Sequence, residues 1–130
     1  MPILWKGAGL MLTDRVEIRL SIAADDITNL RVKAELANGT SWFIPATEFK
    51  PDEAKPGRYN VDFNGLNSGQ MSEPVYFTVY KGGTVVSNTV RYSVESYAYA
   101  QANKAAPDTS LLALLKVMMK YGDAAYNYVN

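Results

Sequence analysis

Cysteine and histidine are both absent from the 130 residues. Their absence excludes disulfides, thiol nucleophiles, zinc sites of the usual composition and every catalytic triad that relies on imidazole. No uncharged apolar run approaches the roughly 18 residues that a membrane-crossing helix needs. Neither sign of charge is in excess: 13 Lys and Arg offset 13 Asp and Glu, with a pI near 6.2. A nucleic-acid surface is normally basic, so nucleic acid is not an expected partner. The opening stretch, Met1-Pro2-Ile3-Leu4-Trp5-Lys6-Gly7, lacks a basic region followed by an apolar one, so no signal peptide is expected there. What remains is an ordinary folded composition, 48% hydrophobic and 20% charged, long enough for one domain with its own core.

The first part of the chain reads as strands. From Arg15 to Ile22, the residues Val16, Ile18, Leu20 and Ile22 alternate with polar neighbours, a period of two that gives one buried and one wet face. Leu30 to Leu36 repeats the pattern, with Leu30, Val32, Ala34 and Leu36 inward and Arg31, Lys33 and Glu35 outward. Asn38-Gly39 predicts a hairpin into a strand over residues 40–44, which Pro45 ends. Residues 45–57 carry three prolines among many charges and read as a solvated loop with little surface to bury. Tyr59, Val61 and Phe63 mark another strand, and a turn-rich stretch over 65–70 leads to Val75–Lys81. Gly82-Gly83 supplies a tight hairpin before a strand over 84–92. Six or seven strands at this spacing predict an immunoglobulin-like or fibronectin-like antiparallel β-sandwich.

After Tyr92 the period becomes helical. Ser93 is a cap candidate for a helix over 93–104, and Asp108 for a second one. Leu111, Leu114, Leu115 and Met118 fall at helical spacing, with Tyr121, Ala125 and Tyr128 extending the stripe. A C-terminal α-helical hairpin over 93–130 is therefore expected to pack on the sandwich of residues 1–92 as one structural unit. The apolar stripe could alternatively be offered to a partner helix.

Chemistry is sparse. Asp25, Asp26, Asp52, Glu53, Asp62 and Asp123 are the carboxylates available for acid–base work, but each sits in a turn-like or polar stretch. Ser72, Ser87 and Ser110 lie in no nucleophile-elbow context, and no phosphate loop is present. An enzyme is not expected. No cofactor is implied; calcium is the one metal that the Asp25-Asp26-Asn29 and Asp52-Glu53-Asn60 groups could hold, and their spacing is equally that of turns.

Aromatic residues are more informative, with nine Tyr, four Phe and two Trp. Trp42 and Phe43 are adjacent in a strand, so one faces the core and the other faces out or lies under the helices. Tyr76 and Tyr80 share the face opposite Val75, Phe77 and Val79. Planar rings on an open sheet can stack on sugar faces, which makes Trp42, Tyr76 and Tyr80 the candidate ligand-binding residues. Trp5 is a further candidate, either as a ligand contact or as an anchor for the chain start.

Three segments also carry a resemblance. They are Tyr92-Ser93-Val94-Glu95-Ser96-Tyr97-Ala98-Tyr99, residues 111–119, and Lys120-Tyr121-Gly122-Asp123-Ala124-Ala125-Tyr126. Together with Gly65-Leu66-Asn67-Ser68-Gly69-Gln70-Met71 and the hairpin over 80–86, this half of the chain resembles a module of large secreted or cell-surface proteins of anaerobic clostridial-type bacteria. The resemblance implies an extracellular setting, often beside dockerins, leucine-rich repeats or carbohydrate-active domains, within a longer polypeptide. It carries no catalytic residues. The function expected on these grounds is a non-catalytic, monomeric, polysaccharide-binding module. The alternative is a spacer or protein-interaction domain that binds no sugar and contacts neighbouring domains of the same polypeptide.

Overall fold

The computed structural model describes residues 3–12, 16–66, 73–94 and 96–97. They form two antiparallel sheets. The first has the order β1-β2-β6-β5, made of β1 (Leu4–Leu12), β2 (Val16–Ala23), β6 (Arg58–Phe63) and β5 (Lys50–Pro51). The second runs from β4 (Ser41–Pro45) through β3 (Leu30–Leu36) to β7 (Val75–Lys81). On its far side, β7 pairs with both β8 (Thr84–Val85) and β9 (Val90–Tyr92).

Alternation along the strands builds one core between the sheets. Ile18, Leu20, Ile22, Val61 and Phe63 come from the first sheet, and Val32, Ala34, Leu36, Val75, Phe77 and Val79 from the second. All are almost fully buried, and each apolar side chain removed from water contributes on the order of 1.5–3 kcal/mol. Phe63 meets Phe77 across the sheets edge-to-face, with ring centres 5.7 Å apart.

Turn residues sit where their backbone demands them. Gly39 has φ 91° and follows Asn38, whose Oδ1 accepts the Thr40 N–H, so the Asn-Gly hairpin forms as read. Gly82 has φ 60°, and Lys81 faces Thr84 across a two-residue loop. The strand predicted over 84–92 is interrupted. Val79 N–H donates to Ser87 Oγ at 2.8 Å, so a side chain takes a place that the ladder would otherwise fill.

Two further departures from the sequence reading have physical causes. β1 was not evident, because a bulge between Trp5 and Gly7 switches its parity: Trp5 opposes Ile22, whereas Ala8 and Leu10 oppose Leu20 and Ile18. Residues 45–57 are more than a solvated loop. They hold a 3-10 turn over Ala46–Glu48, the short β5, and Phe49, which reaches the core at 7% exposure. At the start of the expected helical segment, Ser93 Oγ accepts the Ser96 N–H at 3.0 Å, the contact expected of a cap. The remainder of the expected helical hairpin lies outside the described residues.

Candidate functional site

β4 decides which aromatic ring is available. Ile44 points into the core at 7% exposure, and a strand sends every second side chain the same way, so Trp42 turns inward as well. Its ring packs edge-on against Phe63, with centres 5.1 Å apart. Phe43 takes the opposite face and is 45% exposed. The signal that separates the two was in the sequence: Ile44 shares parity with Trp42.

Tyr76 and Tyr80 lie on that same outward face, half-buried, opposite the buried Val75, Phe77 and Val79. Tyr80 meets Phe43 at 5.9 Å between centres and 77° between planes. Between them stands Arg31 of β3, opposite both Pro45 and Tyr80. Its guanidinium lies 4.2 Å from the centre of Phe43 and 6.0 Å from that of Tyr80, within cation–π range. Lys33 and Glu35 follow on β3 and approach each other at 3.7 Å. Thr78 and Thr89 exchange a hydrogen bond at 2.8 Å, and Arg91 pairs with Tyr76 from β9. Val85, 52% exposed, opposes Tyr80 and extends the apolar part of the face. The structure thus brings Tyr76 and Tyr80 together with Phe43 and Arg31, neither of which the sequence singled out. It puts Trp42 on the other side of the sheet.

Trp5 is an anchor. Its indole Nε1–H donates to the Asn88 carbonyl at 2.9 Å, and Ile3 N–H donates to the Val86 carbonyl at 2.7 Å. These bonds tie the start of the first sheet to the edge of the second, and the Trp5 ring packs against the core.

On the outward face of the first sheet, polar side chains of β2, β5 and β6 pair with one another. Arg19 grips Asp62 with two hydrogen bonds of 2.7 and 2.8 Å, and Lys50 reaches the same carboxylate at 3.0 Å. The hydrogen bond from Arg19 holds the Asp62 carboxyl below the usual carboxylate range, against the opposing effect of burial, with Lys50 adding to the shift. Ser21 donates to Asn60 beside them. At the end of this sheet lies an open cleft of about 400 Å³ whose lining includes Leu4, Lys6, Asp25, Pro56 and Arg58.

Two of the loop carboxylates serve turns. Asp26 accepts from both the N–H and the hydroxyl of Thr28, which lowers its pKa, and Asp52 accepts from the Ala54 N–H. Among the described residues no group of three or more carboxylates converges on a point. No family model, curated protein or solved structure matches the chain.

Proposed function

We propose that this chain is a non-catalytic module of an extracellular bacterial protein, and that it binds polysaccharide through the outward face of its second sheet. The fold in this proposal is an immunoglobulin-like β-sandwich carrying C-terminal helices. Supporting it are the strand orders β1-β2-β6-β5 and β4-β3-β7 with β8 and β9, which correspond to A-B-E-D and C′-C-F-G. The extracellular setting rests on the resemblance of the second half of the chain to a module of secreted clostridial proteins.

One observation carries the ligand proposal: Phe43, Tyr76 and Tyr80 share the outward face of the second sheet with hydrogen-bonding neighbours Arg31, Lys33, Glu35, Thr78 and Arg91. Rings supply stacking area, and the polar side chains around them can read hydroxyls. Trp42 and Trp5 have no part in this site.

A second reading, docking of a neighbouring protein domain, has its own support. Phe43 and Tyr80 are nearly perpendicular and Arg31 covers part of Phe43, a combination of aromatic and Arg residues that is enriched at protein interfaces. Native gels containing soluble neutral and acidic polysaccharides distinguish the two. Retardation of the chain by a polysaccharide, lost in Phe43→Ala/Tyr80→Ala, supports sugar binding. No retardation across the panel leaves the docking function in its place.

A further inference from the structure

The charges on the binding face are unlike those of the chain as a whole. The full sequence is neutral, yet the outward rows of β3 and β9 place Arg31, Lys33 and Arg91 against a single carboxylate, Glu35. Glu35 is already shared with Lys33. Among the described residues neither Arg31 nor Arg91 forms an ion pair, whereas Arg19 on the opposite sheet is gripped by Asp62.

Arg31 has a further peculiarity. Its Nε is buried without a hydrogen-bond partner, the one such side-chain atom among the described residues. Such a donor normally finds an acceptor. Here the side chain is instead held by the Phe43 ring and presents its charge beside Tyr80. A guanidinium fixed by aromatic contacts and left without a carboxylate is prepared to accept one from a ligand, and its fork matches carboxylate geometry.

Resting on the proposal that this face binds polysaccharide, we infer that the ligand is an anionic polysaccharide bearing carboxylates, of the uronic-acid class. Arg31 engages a sugar carboxylate between Phe43 and Tyr80, and Lys33 and Arg91 flank it along the sheet. The spacing suits a chain lying across the strands, because adjacent strands are about 4.8 Å apart and β4, β3, β7 and β9 each contribute one or more of these side chains.

The test is affinity electrophoresis of the full chain in gels containing polygalacturonate, its methyl-esterified form, neutral xylan or poly-glutamate. Polygalacturonate is expected to retard the chain and the methyl ester to do so much less. Lys33→Gln/Arg91→Gln, changes on the outward face that leave the core intact, should weaken polygalacturonate binding about fivefold, the scale of losing two modest charge contacts. Phe43→Ala/Tyr80→Ala should abolish it. Retardation by xylan and the methyl ester as strongly as by polygalacturonate would overturn the anionic assignment while leaving sugar binding intact. Equal retardation by poly-glutamate, surviving loss of both rings, would reduce the effect to ion exchange and overturn the inference. No retardation by any polysaccharide would overturn both proposals together.

Discussion

Trp42 and Phe63 meet edge-to-face at 5.1 Å, and through them the outermost strand of one sheet is tied to the inner face of the other. Trp42 is thus a packing residue on a strand whose neighbouring residue, Phe43, faces the solvent. Trp42→Ala is expected to destabilise the fold by about 3 kcal/mol, at the low end for loss of a large aromatic because the ring is only partly buried. Urea unfolding measures this as a lower midpoint. Polysaccharide binding by the folded fraction should be unchanged, which separates Trp42 from the outward face.

Gly65 closes over the same two rings. A methyl group in the Cβ position would lie 2.7 Å from Phe63 Cε1 and 3.1 Å from Trp42 Cε2. Gly65→Ala should therefore cost on the order of 1–3 kcal/mol, because the overlap falls chiefly on Phe63, a ring buried in the core. Thermal unfolding of the variant checks it, and combining it with Trp42→Ala should recover part of the loss.

The Arg19–Asp62 pair makes stability depend on acid. Asp62 has a depressed pKa when folded, so its contribution is present above the unfolded value of about 3.9 and is lost as pH falls through the folded value. Asp62→Asn is expected to lower stability by roughly 2 kcal/mol at neutral pH, the scale of hydrogen bonds to a charged group. The difference between variant and parent should shrink as the pH drops below about 4. Urea titrations at several pH values would reveal the convergence.

At the other end of the scale, burial beside Tyr97 pushes the Tyr92 phenol up to about 12. A pKa raised on folding means that stability is complete below the unfolded value of about 10 and falls as pH rises towards the folded one. Tyr92→Phe should therefore resist alkaline unfolding between those values better than the parent does. The late-ionising phenolate should also vanish from its ultraviolet titration.

Much of the fold was legible because burial and alternation coincide. Leu30–Leu36 and Val75–Lys81 lie at the centre of the second sheet, where one face is sealed, and their patterns read directly. β1 was hidden by its bulge and by Gly7 and Gly9, which carry no side chain to reveal a face. β5 and the turn before it were hidden by prolines, although Phe49 among those charges marked a buried anchor. The site was half legible. Period-two reading placed Tyr76 and Tyr80 together, but a Trp-Phe pair gives no parity by itself. Assigning it required Ile44 as a reference. The contact between Arg31 and Phe43 joins neighbouring strands, and strand pairing becomes visible only when β3 and β4 are in register.

The most direct test of the binding face is an amide NMR titration of the full chain with oligogalacturonate. Shifts should cluster on Arg31, Lys33, Phe43, Thr78, Tyr80 and Arg91, leaving Arg19 and Asp62 on the opposite sheet unmoved. Shifts centred instead on Lys6 and Arg58 in the cleft at the end of the first sheet would contradict the assignment of that face.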